Sequence, residues 1–151
     1  MKKLTYTYLL IFSFLIFGCN NTDEETSITK IYLIGDSTMA DYSGDYDPGK
    51  DYLKTRYPMT GWGQVFQPFF ASDSLSELAN LIKTDSVLVD DRARGGRSTR
   101  TFFQEGRWRS VYENLQKNDI VIMQFGHNDA AEQKTERYVN IFIFNYLEIL
   151  K

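Results

Sequence analysis

Thr29-Lys30-Ile31-Tyr32-Leu33-Ile34-Gly35-Asp36-Ser37-Thr38 runs from a β-prone stretch through one glycine into a polar turn. Apolar residues at consecutive rather than alternate positions suit a strand covered on both faces, as in a parallel sheet. Two later stretches read the same way. Ser86–Val89 is a short strand that the polar pair Asp90-Asp91 is expected to end, and Asp119–Phe125 is another, stopped by Gly126. Between them lie segments with apolar residues at helical spacing: Gly63–Phe70, limited by Pro68; Ser74–Lys83, with Ser74 as N-cap; and Trp108–Lys117. Glu132–Lys151 reads as a last helix, although Ile141-Phe142-Ile143-Phe144 is β-prone. Strand–helix alternation of this kind predicts an α/β fold, a three-layer α/β/α sandwich with a parallel sheet.

The first residues stand apart from that domain. Lys2 and Lys3 precede the apolar run Leu4–Phe17, which is shorter than the roughly 20 residues of a spanning helix. It ends at Gly18-Cys19, a small residue directly before the only cysteine of the chain. This pattern resembles a bacterial lipobox, and it predicts a signal peptide over 1–18 with lipidation at Cys19. Residues 19–28, polar and acidic, are then a tether, and 29–151 the domain. Loss of 1–18 removes two positive charges and takes the net charge from −3 to −5. An acidic domain is a poor ligand for nucleic acid, so no nucleic-acid partner is expected. One His and one Cys exclude a His/Cys zinc site, and no metal or other cofactor is expected. The expected location is the cell envelope of a bacterium, with attachment to a membrane, such as the outer membrane, through Cys19.

Ligands of parallel sheets bind beyond the carboxyl ends of the strands. Each predicted strand here leads to a glycine-containing polar loop: Gly35-Asp36-Ser37, Gly95-Gly96-Arg97-Ser98 and Gly126-His127-Asn128-Asp129. The three loops should converge. A nucleophilic serine needs an exposing turn, a base and donors for a developing oxyanion. Ser37 satisfies the first need, while a glycine N–H and the Asn128 amide can satisfy the last. The six arginines at 92, 94, 97, 100, 107 and 109 form the one basic cluster. Arg97 and Arg100, beside the glycine loop, are candidates for an anionic sugar.

Gly35-Asp36-Ser37, the glycine at position 96 and Gly126-His127-Asn128-Asp129 resemble, in order and spacing, the first three sequence blocks of the SGNH (GDSL) hydrolases. Longer matches, Gly35-Asp36-Ser37-Thr38, Gly61-Trp62-Gly63, Ala93-Arg94-Gly95-Gly96-Arg97-Ser98, Glu105-Gly106-Arg107-Trp108 and Gln124-Phe125-Gly126-His127-Asn128-Asp129, are similar to the rhamnogalacturonan acetylesterase branch. The resemblance implies a flavodoxin-like sheet and a serine esterase. Ser37 would be the nucleophile, Gly96 and Asn128 the oxyanion donors, and Asp36 and Asp129 supports for their loops. The implied substrate is an acetylated pectic polysaccharide; a lipase- or thioesterase-like activity is the alternative. The family's base lies in an Asp-x-x-His block, and none follows Asp129; His127 is read as a loop residue. The sequence is therefore expected to be the N-terminal part of a larger hydrolase, incomplete at its C-terminus. Such a chain could be inactive alone, or a surface lipoprotein retaining only a sugar-binding face. Replacing Cys19 by Ala is expected to move the protein from the membrane to the soluble fraction; unchanged fractionation would refute the anchor.

Overall fold

The computed structural model describes residues 27–43, 49–56 and 60–140. The predicted signal peptide, Cys19, most of the tether and residues 141–151 of the last predicted helix lie outside them. The described part contains a three-stranded parallel sheet in the order β2-β1-β3. Strand β1 is Ile28–Gly35, β2 Ser86–Asp91 and β3 Ile120–Gln124. Four short α-helices accompany it: α1 Tyr52–Arg56, α2 Ser72–Leu75, α3 Thr99–Gln104 and α4 Arg107–Tyr112.

The unbroken apolar run of β1 is explained by its central position. Alternate side chains of a strand point to opposite faces. Ile31 and Leu33 enter a cluster with Met39, Ala40, Val87 and Ala93, against which Trp62, Phe66 and Phe70 pack. Tyr32 and Ile34 enter a second, with Phe102 and Val111, bordered by Trp108 and Phe125. The sheet thus has a core on each face, and β1 is the element both share. Burial of Ile31, Leu33 and Ile34 contributes about 1.5–3 kcal/mol apiece. The buried Tyr32 keeps its hydroxyl satisfied by donating to the Asn114 carbonyl at 3.2 Å.

Several predicted elements differ from those observed. Asp90 and Asp91 extend β2 rather than ending it, paired with Tyr32 and Leu33 of β1. Their carboxylates have partners that make this tolerable: Arg92 for Asp90, and the Asp41 and Ala93 N–H groups for Asp91. Gly63–Phe70 forms two 3₁₀ turns, Trp62–Val65 and Gln67–Phe70, the second with Pro68 in its first turn. The Ser74–Lys83 helix is reduced to α2, capped at Ala71, followed by turns. Only Leu75 and Ile82 of that stretch reach the core, while Leu81 is 83% exposed, so an amphipathic pattern lacks a surface to cover it. Trp108–Lys117 shortens to α4. Residues 132–140 form turns rather than helix, their backbone spent on Val139 N–H to Asp129 and on local bonds such as Arg137 N–H to Lys134.

The 3₁₀ segment holds the chain just beyond β1 by backbone contact. Gly61 and Gly63 donate to the Ala40 and Met39 carbonyls at 3.0 and 2.9 Å. A Cβ at Gly61 would lie 2.3–2.5 Å from backbone atoms of Met39 and Ala40. Neither side can yield by rotating a side chain. Gly61→Ala is therefore expected to lower stability by about 1–3 kcal/mol, read as an earlier urea midpoint. An unchanged midpoint would show that the 39–40 backbone moves freely.

Candidate active site

The turn after β1 is fixed on both sides of Ser37. Asp36 donates its N–H to the Gln124 carbonyl of β3 at 3.3 Å, and its own carbonyl accepts from Met39 and Ala40. The buried Asp36 carboxylate accepts from the Thr38 N–H at 2.9 Å and the Thr38 hydroxyl at 2.8 Å. It is thus spent on shaping the turn. Ser37 is half-buried at the apex. Gln124 ties the turn to its neighbours: its amide donates to the Thr38 hydroxyl at 3.0 Å and accepts from the Trp62 indole at 2.5 Å.

The second loop leaves β2 and passes next to this turn, with Arg94 N–H donating to the Gly35 carbonyl at 2.9 Å. Gly96 sits at φ +77°, in the left-handed region that a side chain disfavours. The loop then enters α3 at the fully buried Ser98. That residue forms a reciprocal capping box with Thr101, which satisfies N–H groups at the helix start. A helix here was not read from the sequence, although Ser98 three residues before Thr101 was the signal for it.

The third loop joins the second through two side chains. Asn128, buried, donates one amide hydrogen to the Arg97 carbonyl at 3.0 Å. An amide has two, and the second has no partner among the described residues. Asp129, also buried, accepts from the Thr99 N–H at 3.1 Å and its hydroxyl at 2.6 Å, so it anchors α3. The three strand-end loops therefore meet, as the sequence implies. His127 is exposed, and no hydrogen bond joins it to Ser37 among the described residues.

The arginines are mostly engaged within the fold. Arg97 binds both Glu105 oxygens at 3.1 Å and the Gly95 carbonyl at 2.9 Å. Arg107 donates to Glu105 at 2.5 Å, Arg100 to the Thr135 carbonyl at 3.1 Å. Partial burial alone would raise the Glu105 carboxyl, but the hydrogen bonds from Arg107 and Arg97 outweigh it and hold the group below its usual range. The guanidinium that lies against Gly96 is that of Arg137, within 3.3–3.5 Å of the position a Cβ would take. Nothing in the sequence marked Arg137, because its segment reads as helix.

At the carboxyl end of β2 lies a polar cleft of about 600 Å³ lined by Asp41, Gln64, Asp91, Arg94 and Arg107 among others. Burial pushes the Asp91 carboxyl from 3.8 up to about 6. The Ala93 and Asp41 N–H groups oppose the shift, and the charges of Asp41 and Asp90 add to it.

The chain belongs to the GDSL-like lipase/acylhydrolase family, whose model matches residues 31–149. It is 34% identical over 109 residues to the rhamnogalacturonan acetylesterase RhgT of Bacillus subtilis, covering 72% of this chain and 37% of that protein. To the probable rhamnogalacturonan acetylesterase YesY of the same organism it is 35% identical over 121 residues, covering 80% and 44%. Among solved structures it is similar to the crystal structure of the B. subtilis YxiM protein, at 24% identity and a TM-score of 0.47, over 73% of this chain and 25% of that one. The chain spans about two fifths of the length of the two acetylesterases it matches.

A carboxyl whose folded pKa is raised takes up protons on folding, so its contribution favours the folded state at low pH. For Asp91 that contribution is full below about 3.8 and is lost as pH rises through about 6. Urea denaturation across pH 4–7 is expected to show stability falling with pH over this window in the native sequence relative to Asp91→Asn. Parallel profiles would refute the shift.

Proposed function

We propose that this chain carries the nucleophile and oxyanion half of a serine esterase that removes acetyl groups from a pectic polysaccharide. The observation that carries the reading is the convergence of three loops: the Ser37 turn is bonded to Arg94, at the start of the Gly96 loop, and that loop is bonded through the Arg97 carbonyl to the Asn128 amide. The similarity to two rhamnogalacturonan acetylesterases supports the choice of ester and polymer. In the proposed reaction the Ser37 Oγ attacks the acetyl carbonyl as its proton passes to a base. The resulting oxyanion accepts from the Ser37 and Gly96 N–H groups and from Asn128. Collapse expels the sugar hydroxyl, protonated by the same base, and leaves acetyl-Ser37. Water then attacks the acyl group and releases acetate.

The base of this scheme is a histidine of an Asp-x-x-His block, which residues 1–151 do not contain. Arg97 and Arg100, expected as sugar contacts, are assigned here to holding loops: Arg97 that of Gly96, through Glu105 and Gly95, and Arg100 the 132–140 segment, through Thr135. Cys19 is proposed as the lipid anchor that keeps the enzyme at the cell envelope.

A serine-directed fluorophosphonate tests the nucleophile: it is expected to label a gene product that contains the Asp-x-x-His block and not its Ser37→Ala variant. An inert Ser37 in that gene product would favour a non-catalytic sugar-binding lipoprotein. Acetate release from acetylated rhamnogalacturonan by that product tests the oxyanion role. Asn128→Ala is expected to fold and to lose roughly 100- to 1,000-fold in kcat, the usual cost of one oxyanion donor. A kcat within twofold of the native value would remove Asn128 from the mechanism.

A further inference from the structure

We infer that Arg137 is the residue that recognises a sugar carboxylate next to Ser37; the inference rests on the esterase reading and names the charge its substrate carries. Arg137 is placed by the fold and not by chance of a surface rotamer alone. Its segment is tied on one side by Arg100 Nη1 to the Thr135 carbonyl at 3.1 Å, and on the other by the Val139 N–H to the Asp129 carbonyl at 3.0 Å. Val139 is buried, and Asp129 in turn anchors α3. The result is a guanidinium stacked on Gly96, with Nη1, Nη2 and Cζ all 3.3–3.5 Å from the missing Cβ. Any side chain at 96 would displace it.

The charge of Arg137 is weakly compensated. Its one ion pair among the described residues is Nε to Glu136 at 3.4 Å, an adjacent residue whose side chain is 63% exposed, and such surface pairs contribute little. The pair uses the Nε edge and leaves the two terminal nitrogens for another acceptor. By contrast Arg97, Arg107 and Arg92 each donate at close range to Glu105 or Asp90. A planar guanidinium with two unspent terminal nitrogens matches a carboxylate, which accepts two parallel N–H bonds. A uronic acid unit carrying or adjoining the acetyl ester supplies that carboxylate. A neutral sugar or a simple lipid ester does not.

The test is binding, so that it stands apart from turnover. Calorimetric titration of the chain with oligogalacturonate is expected to show about tenfold tighter binding than with the same oligomer methyl-esterified, since a hydrogen bond to a charged group is worth about that factor or more. Arg137→Met should abolish the difference while circular dichroism shows a native fold. Arg137→Lys, which keeps the charge without the fork, should retain part of it, and it carries the test if the Met variant does not fold. A carboxylate preference undiminished in the variants, or absent from the native chain, overturns the inference. Fluorophosphonate labelling of a form that contains the Asp-x-x-His block separates the two readings. Labelled Ser37 without the preference refutes the Arg137 role alone; unlabelled Ser37 with the preference refutes the esterase reading and leaves this one standing.

Discussion

The register of β1 against its two parallel neighbours is the constraint on which the rest depends. Leu33 pairs with Asp91 of β2, and Gly35 with Gln124 of β3. All three strands therefore run out at one edge, and the chain turns polar there on each of them. Because β1 is buried on both faces, a slip of one residue would send Ile31 and Leu33 into the cluster built for Tyr32 and Ile34. Core packing thus fixes the register, and the register fixes where Ser37, Gly96 and Asn128 stand relative to one another.

What the core cannot do is orient the polar groups at that edge, and carboxylates do this instead. Asp36 shapes the Ser37 turn, Asp129 holds α3, Asp91 joins the chain after the turn to the end of β2, and Glu105 gathers two arginines. A buried carboxylate is costly unless it accepts hydrogen bonds. Asp36 and Asp129 meet that demand with backbone N–H groups and hydroxyls, so neither is a free acid or base. Asp91 accepts from the Asp41 and Ala93 N–H groups, yet burial still raises its pKa.

Much of this was legible in the sequence, and for an identifiable reason. The three strands and the meeting of their loops follow from apolar runs ended by glycine, a pattern set by burial along a short stretch. Helix ends were poorly legible because the helices here are short and their limits depend on tertiary cover. Ser74–Lys83 has the periodicity of a helix, but only Leu75 and Ile82 find a core to pack on. Asp90-Asp91 looked like a strand terminator because two carboxylates seem unfit for a sheet; their partners, Arg92 and the Asp41 N–H, are settled only by the fold. Arg137 was illegible altogether, since its place over Gly96 is set by bonds from Arg100 and Asp129, each reaching across the loops.

Those same bonds bear on how the proposed oxyanion site acts. A donor helps a transition state most when its direction is fixed beforehand, so that none of the gain goes into reorganisation. Asn128 is planar and has one hydrogen held by the Arg97 carbonyl, which fixes the direction of the other. The Arg97 carbonyl is itself fixed, because Arg97 is held through its guanidinium to Glu105 and Gly95, and the next residue caps α3. Gly96 owes its N–H direction to a left-handed backbone, with the Arg137 guanidinium lying across the space where a side chain would be. Two donors on different loops are thus aimed by one connected set of hydrogen bonds. Loosening Glu105 or Asp129 should therefore disturb both, although neither touches the reacting atoms.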